Sequence, residues 1–254
     1  MTLISKRRLA GLASASVMIA TAVVAAVPAA TFAAGCTPTG FVRDGKDLTA
    51  AQIGGTVTGA LDATGCDIGV YNPTGVSSAN IHGAMSYGVV VNGLTNVNVT
   101  NSDVHHIGDQ PVSTTNPMVG MQRGRAITYI NGASGTISGN RVFAFQKNGI
   151  EVIGLNADAS APSAAKTSAT VQKNVITGLG STDNIAQNGI VVRHGASATV
   201  QGNSVSNIDY TPTDTVACGL LILEARRVTA SKNTYTEVEY NVYTEGTSKG
   251  HVKP

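Results

Sequence analysis

The sequence has few charged or aromatic residues. Charged side chains make up 13% of the 254 residues and aromatic side chains 4%, and tryptophan is absent. The 17 Lys and Arg nearly balance the 15 Asp and Glu, which argues against a strongly acidic or basic tail. The apolar content of 42% is too high for a disordered chain. Length and composition therefore predict one domain with a core of small side chains.

Residues 1–33 have the pattern of a secretory signal peptide. Lys6, Arg7 and Arg8 precede an uncharged stretch, 9–34, that ends in small residues, which is the order of a basic, an apolar and a cleavage region. We expect cleavage and a secreted, extracellular protein; a retained membrane anchor is the alternative, because the stretch is long enough to span a bilayer. Loss of these 3 basic residues leaves 14 against 15 acidic ones. The mature chain is therefore not expected to bind nucleic acid or a membrane.

Cysteine is scarce, with Cys36, Cys66 and Cys218 as the only three. In an exported protein the first two, which flank a loop at the start of the fold, predict a disulfide that pins the N-terminal edge. Cys218 precedes the apolar run 219–223, so we interpret it as a buried small hydrophobe, with a reactive thiol as the alternative. No pair has the CxxC spacing of a thiolate metal site.

The chain contains an internal repeat. Segments 88–104, 126–142 and 189–205 align without gaps, and 219–235 and 149–176 fit the same frame, the last with a loop set aside. Each copy holds three short stretches in which apolar residues alternate with polar ones, the pattern of strands. Three such strands cannot bury a core alone. The copies are therefore predicted to stack on one another.

One polar position recurs through the repeat. It is occupied by Asn140, Asn174, Asn203 and Asn233, and by Ser102 in an earlier copy. Stacked amides can hydrogen-bond along such a column. With the Asn-Gly pairs that precede two first strands, this column resembles the right-handed parallel β-helix of the pectate-lyase-like superfamily. Over residues 65–245, the resemblance implies an all-β, single-stranded right-handed parallel β-helix of about six coils. It says little about function, since this fold hosts lyases, hydrolases, epimerases, adhesins and non-catalytic proteins.

The ends of such a solenoid need covering, because they expose apolar core and unpaired strand edges. We predict an N-terminal cap over residues 34–64, in which 47–53 are compatible with a helix. At the other end, 237–245 and the tail 246–254 cover the last coil, or a protein partner does.

The insertions point to a binding face. They fall between third and first strands, and insertions at one corner of a solenoid grow out of one face. In lyases of the resembled superfamily the groove lies over the first strands beside this corner. The polar candidates there are His105, His106, Asp109, Arg123, Arg125, Lys147, Glu151, Arg193 and His194. Glu151 and Arg193 are expected to face outward on adjacent strands, within salt-bridge reach.

A lyase acting on uronic-acid sugars needs a base for the C5 proton and a cation for the carboxylate. Arg193 or Lys147 suits the base if burial or a neighbouring cation lowers its pKa, and Arg125 or Arg123 suits the carboxylate. The remaining polar candidates would contact substrate. A surface salt bridge on a solvated polar face is the alternative interpretation.

No metal or other cofactor is expected. Adjacent residues on a strand point to opposite faces, so loop polarity is favoured over zinc for His105 and His106. The outward row of the first strands is predicted to hold Val90, Thr128, Glu151, Val191 and Leu221, with Asn92, Ile130, Ile153, Arg193 and Leu223 beside it. One carboxylate is too few for a calcium groove. The sequence also lacks a close Asp-Asp pair, which argues against a glycoside hydrolase that uses two carboxylates. The apolar residues of the row either lie under loops or form a contact surface.

Two functions remain open. The first is a secreted module that binds a glycan or partner, or is structural, without catalysis; the short solenoid and the missing acidic clusters favour it. The second is a lyase or epimerase acting on uronic-acid-containing polysaccharide by C5 proton abstraction. Both predict an extracellular or cell-wall polysaccharide as the partner.

Overall fold

The computed structural model describes residues 35–108 and 123–246 and the backbone of 250–252. The predicted signal peptide, Asp109 and most of the tail lie outside these residues. Every regular element described is a β-strand, and none of the described residues forms a helix able to cross a bilayer. The strands are β1 (Thr37–Arg43), β2 (Lys46–Ile53), β3 (Thr56–Asp62), β4 (Ile68–Tyr71), β5 (Gly75–His82), β6 (Tyr87–Asn92), β7 (Val97–Thr100), β8 (Asp103–Ile107), β9 (Arg125–Ile130), β10 (Ser134–Ser138), β11 (Arg141–Phe145), β12 (Asn148–Ile153), β13 (Ser168–Gln172), β14 (Val175–Thr182), β15 (Asn188–Arg193), β16 (Ser197–Gln201), β17 (Ser204–Tyr210), β18 (Cys218–Leu223), β19 (Arg227–Ser231), β20 (Thr234–Val238), β21 (Tyr240–Glu245) and β22 (Gly250–Val252).

These strands stack as a parallel β-helix. The first sheet has the order β1-β2-β4-β6-β9-β12-β15-β18-β21, in which all pairs but β1-β2 are parallel. A second ladder runs through β5, β7, β10, β13, β16, β19 and β22, and a third through β5, β8, β11, β14, β17 and β20. The predicted all-β solenoid is confirmed. Because β2 and β3 pair in parallel with β4 and β5, the stack begins before the first recognisable repeat copy.

The core is built from columns of inward apolar residues. Val99, Ile137, Val171 and Val200 are in register on the second ladder, and all four have no exposed surface. The third ladder aligns Val104, Val142, Ile176 and Val205 in the same way. These columns are the ones that the repeat predicts, since each coil returns the same sequence position to the same place.

The asparagine column is confirmed. Asn174 Nδ2 donates to the Asn203 Oδ1 at 2.9 Å and to the Ile137 carbonyl at 3.0 Å. Its Oδ1 accepts from the backbone N and the Nδ2 of Asn140, at 3.0 and 2.9 Å. Each buried amide thus satisfies two backbone groups of the preceding coil and bonds the side-chain amide of the next, at the bend between the second and third ladders.

A column of small residues at the start of the first sheet has a steric cause. A Cβ built on Gly149 would lie 2.6 Å from the Gly189 carbonyl oxygen and 2.8 Å from Ile176 Cγ2. The chain turns inward here, close against the third ladder. In the other repeat copies this position holds Gly88, Ala126, Gly189 and Gly219, which explains why the copies begin at Gly or Ala.

Replacing Gly149 with alanine is expected to lower the free energy of unfolding by about 1–3 kcal/mol, because the added methyl group overpacks the turn. Gly75→Ala is the matched control: its Cβ would meet only the Asn98 carbonyl oxygen, at 3.8 Å, and we expect a change within about 0.5 kcal/mol. Chemical denaturation of both variants checks this. Equal effects would contradict the close approach at Gly149.

The N-terminal cap is a β-hairpin. The expectation of a helix at 47–53 is wrong, because these residues lie in β2, whose backbone groups bond to β1 and β4 and whose Leu48 and Ala50 are buried. Phe41 of β1 packs over the first sheet, with its ring 5.8 Å from the rings of Tyr71 and Tyr87. The predicted Cys36–Cys66 disulfide is present and ties the start of β1 to the chain before β4.

The outward row of the first sheet is in the predicted register. Its apolar members Ile130 and Ile153 are buried together with Phe41 and are packed against Leu155 of the loop after β12. These two residues therefore lie beneath the N-terminal hairpin and the loop after β12 and do not form an exposed contact surface. Cys218 is fully buried, and burial raises the pKa of its thiol to about 12, as expected of a small hydrophobe rather than a reactive group.

The last coil is less well covered. Tyr235, Val238 and Val242 pack against the core but are only partly buried, and Tyr240 is 43% exposed. In the described residues, β21 pairs with β18 alone and is the last strand of the first sheet.

Candidate functional site

The candidate site lies at the corner where the chain passes from the third ladder into the first sheet. Tyr87, Arg125, Asn148 and Asn188 are in register at the start of four first-sheet strands. Since the small residue that follows each of them faces inward, these side chains lie on the outer side. The Arg125 guanidinium lies over the Tyr87 ring, 5.5 Å from its centroid.

Glu151 is the centre of a buried ion cluster. Its Oε1 lies 2.7 Å from Arg193 Nη2 and its Oε2 lies 3.1 Å from Arg125 Nε. Asn148 Nδ2 donates to Oε1 at 3.3 Å. The Glu151 side chain is only 2% exposed. Burial acts to raise the pKa of this carboxyl, but Arg193, Arg125 and the more distant Arg43 outweigh it and lower the pKa, so Glu151 is ionised.

Lys147 lies beside the same two arginines. Its Nζ donates to the Ala186 carbonyl at 2.6 Å. Burial, reinforced by the charges of Arg125 and Arg193, lowers the pKa of Lys147 to about 8. We call Lys147, Arg125 and Arg193, with Glu151 at their centre, the cationic corner. Three cations against one carboxylate give this corner an excess of positive charge when Lys147 is protonated.

Polar atoms of the cationic corner remain unsatisfied. Thr128 Oγ1, Asn188 Oδ1 and Arg193 Nε are buried and have no hydrogen-bond partner. Unsatisfied buried groups of this kind are costly in a folded protein.

A cleft opens next to the cationic corner, between the β1-β2 turn and the start of the first sheet. Its volume is about 670 Å³. The charged residues that line it are Arg43, Asp44, Lys46, Asp67, Arg123 and Arg125. Lys46 Nζ lies 2.7 Å from Asp67 Oδ1 and Arg125 is paired with Glu151, which leaves Arg43 and Arg123 against Asp44. We call this cavity the corner cleft; Arg125 belongs both to it and to the cationic corner.

The remaining predicted site residues lie elsewhere. His194 follows β15, and its Nδ1 is 3.0 Å from Glu224 Oε2 in a solvent-facing pair. His105 and His106 lie on β8, in the third ladder. The expectation that these two rings face opposite sides is wrong: His106 has φ of 51°, which breaks the alternation, and the two Nδ1 atoms are 2.6 Å apart. Asp109 lies outside the described residues.

Several residues of the corner cleft were not predicted. Arg43, Asp44 and Lys46 come from the cap, which lies outside the repeat, and Tyr87 was not among the polar candidates. The repeat frame carries no signal for them, because a hairpin that folds over the sheet makes contacts without periodicity in sequence. In the described residues, no group of three His, Cys, Asp or Glu side chains is arranged to hold a metal ion.

A comparison with protein families matches residues 62–235 to the right handed beta helix region. The chain belongs to this right-handed β-helix family. Among solved structures, this β-helix is similar to the crystal structure of alginate lyase from Paenibacillus sp. str. FPU-7, with 13% identity over 79% of this chain and 76% of that chain and a TM-score of 0.43. Among curated proteins, none matches the chain.

Proposed function

We propose that this β-helix is a secreted module that binds an acidic polysaccharide through carboxylates of uronic-acid units in the corner cleft. The observation that carries the proposal is the set of arginines in that cleft. Arg43, Arg123 and Arg125 reach one cavity, whereas the described carboxylates in its wall are Asp44 and the Lys46-paired Asp67. Guanidinium groups match carboxylates in a planar, two-point geometry.

The surroundings favour a sugar ligand over a small anion. The cleft is also lined by Ser86 and by Met85, which is 44% exposed, while Tyr87 and Leu48 form its buried floor. Hydroxyl and methylene surface beside a few fixed charges suits a ligand that has both apolar sugar faces and carboxylates. A disulfide such as Cys36–Cys66 is typical of proteins outside reducing compartments, which agrees with an extracellular polymer.

Oligomers of a uronic acid are expected to bind with measurable affinity in isothermal titration calorimetry, and a neutral oligosaccharide of equal length to bind far less. Arg123→Ala is expected to weaken binding by about tenfold or more, because a charge-assisted contact is lost. The matched control is Arg226→Ala, which removes an exposed arginine after β18. Equal binding of the neutral oligomer, or an equal loss in both variants, would argue against the corner cleft.

A second function, an alginate-type or pectate-type lyase or an epimerase, is favoured by one observation: the lowered pKa of Lys147. A neutral Lys147 amine takes the C5 proton of a uronate whose carboxylate is held by Arg125 or Arg123, and Arg193 is the other candidate base. In a lyase the electron pair then expels the oxygen at C4, which leaves with a proton and gives an unsaturated sugar. In an epimerase a proton returns to C5 from the other face.

The pKa of Lys147 gives this second function a pH signature. The base is the neutral amine, so elimination is expected to increase as pH rises through about 8. Lys147→Gln is expected to reduce it about 100-fold or more, and Lys166→Gln, an exposed lysine in the loop after β12, to leave it unchanged. Ultraviolet absorbance of the unsaturated product measures the lyase, and deuterium uptake at C5 the epimerase. If neither assay detects a reaction while uronate oligomers still bind, the enzyme function is rejected and the non-catalytic binding module is supported.

A further inference from the structure

His105 and His106 form a second cluster, away from the first sheet. Their Nδ1 atoms are 2.6 Å apart, although adjacent strand residues normally point to opposite faces. The left-handed backbone of His106, with φ of 51°, turns its ring to the side of His105. The two ring centroids are 4.9 Å apart with the rings near perpendicular, so the nitrogens converge edge to face.

The His105 ring is held in place on both faces. It stacks between His82, at 5.3 Å between centroids, and Phe143, at 4.6 Å. Its Nε2 lies 2.8 Å from Asn80 Oδ1, and because a carbonyl oxygen only accepts, Nε2 carries the proton. The lone pair of His105 is therefore on Nδ1, where it accepts a hydrogen bond from His106 Nδ1; a metal ion bound by both atoms takes the place of that shared proton.

We propose that His105 and His106 bind a divalent transition-metal ion of the zinc class through their two Nδ1 atoms. Imidazole nitrogen suits Zn²⁺, Cu²⁺ and Ni²⁺. With Zn–N bonds of about 2.0–2.1 Å, two nitrogens on one tetrahedral ion lie about 3.3 Å apart. The present separation of 2.6 Å reaches that value by a small rotation of the exposed His106 ring.

The second ring nitrogen of His105 is hydrogen-bonded in the way that is usual for a metal-binding histidine. Metal-bound histidines normally donate their other ring N–H to an oxygen, which fixes ring and tautomer, and Asn80 Oδ1 does this for His105. Asp103, which pairs with Arg141, and Asp62, 3.8 Å from His82 Nδ1, are the nearby carboxylates. Since the pair supplies two ligands, the other positions of the ion stay open to water or an external ligand.

Titration of the purified chain, carrying no histidine tag, with zinc chloride at neutral pH tests the proposal by calorimetry. We expect about one zinc ion per chain with a dissociation constant in the micromolar range, and shifts of the His105 and His106 imidazole nitrogen resonances in NMR spectra. His106→Asn is expected to weaken zinc binding about tenfold or more. Asparagine tolerates the left-handed conformation, so this variant keeps the fold.

The matched control is His194→Asn. His194 has the same left-handed backbone, with φ of 51°, but its neighbour across the coil is Glu224 rather than a second imidazole. Its replacement is expected to leave zinc affinity unchanged. Absence of zinc binding by the wild-type chain, or equal zinc affinity of His106→Asn and the wild type, would overturn the proposal; so would an equal loss in both variants.

Discussion

Replacing Glu151 with glutamine is expected to lower the free energy of unfolding by about 3–5 kcal/mol. The carboxylate is 2% exposed and is shared by Arg193 and Arg125, whose side chains are themselves 23% and 11% exposed. Removal of one partner from a buried ion cluster leaves the others desolvated without compensation. Because the neutral amide of glutamine has nearly the same shape as the carboxylate, the loss of unfolding free energy measures the missing charge and not a change in packing. Denaturant unfolding of the variant measures it.

Glu224→Gln is the matched control, because Glu224 is also paired, with His194, but its side chain is 59% exposed. Exposed pairs contribute little, and we expect a change within about 0.5 kcal/mol. An effect of Glu151→Gln as small as this would show that the cationic corner does not depend on its carboxylate.

The Glu151 prediction includes a pH dependence. The pKa of Glu151 is lowered from 4.5 in the folded protein. The unfolded chain therefore binds this proton first as pH falls, so the stability due to Glu151 is full above the unfolded pKa and is lost as pH falls through the folded pKa. The acid sensitivity of Glu151→Gln should be smaller than that of the wild type. Glu151→Gln should also lower the pKa of Lys147 further, because Glu151 acts to raise it.

Asn174→Ala is expected to lower the free energy of unfolding by about 3–5 kcal/mol. Asn174 is 1% exposed, and its amide makes four hydrogen bonds, to Asn140, Ile137 and Asn203. The variant leaves the backbone N–H of Asn140 and the carbonyl of Ile137 buried without these partners, at about 1–3 kcal/mol each. The small cavity left by the missing amide adds to the loss.

An exposed asparagine of the same solenoid provides the comparison. Asn98 accepts one hydrogen bond, from the Thr136 backbone N at 3.0 Å, on the outer face of the second ladder. Water replaces that bond, so Asn98→Ala is expected to cost about 0.5–1 kcal/mol. Thermal and denaturant midpoints of the two variants separate the alternatives. Equal destabilisation by both would mean that the asparagine column adds no more than a surface contact.

The two variants test different layers of the molecule. The asparagine column holds successive coils together at an inward bend, and every coil from 102 to 233 contributes to it. The Glu151 cluster joins three coils on the outside, next to the corner cleft in which the proposed ligand binds; Arg125 is the residue that the two share.

The sequence by itself determined the solenoid. Each coil repeats the same inward positions, so Ile137 and Val171, or Asn140 and Asn174, are placed in contact by the period of the chain alone. The row that contains Glu151 and the reach of Arg193 follow from the same frame, whereas the Cys36–Cys66 disulfide was predicted from the expected export of the chain and the loop that the two cysteines flank. Such features are predictable because strand alternation and coil period are local properties that the sequence displays directly.

Only the tertiary structure decided the geometry of the corner cleft. The hairpin that carries Arg43 and Phe41 folds over the first sheet, and nothing periodic in the sequence indicates where it packs. The convergence of His105 and His106 depends on one left-handed residue, which a strand pattern conceals. The pKa of Lys147 depends on its burial and then on Arg125 and Arg193, which belong to other coils. Contacts of this kind join segments distant in sequence through packing and electrostatics, and these act only once the chain has folded.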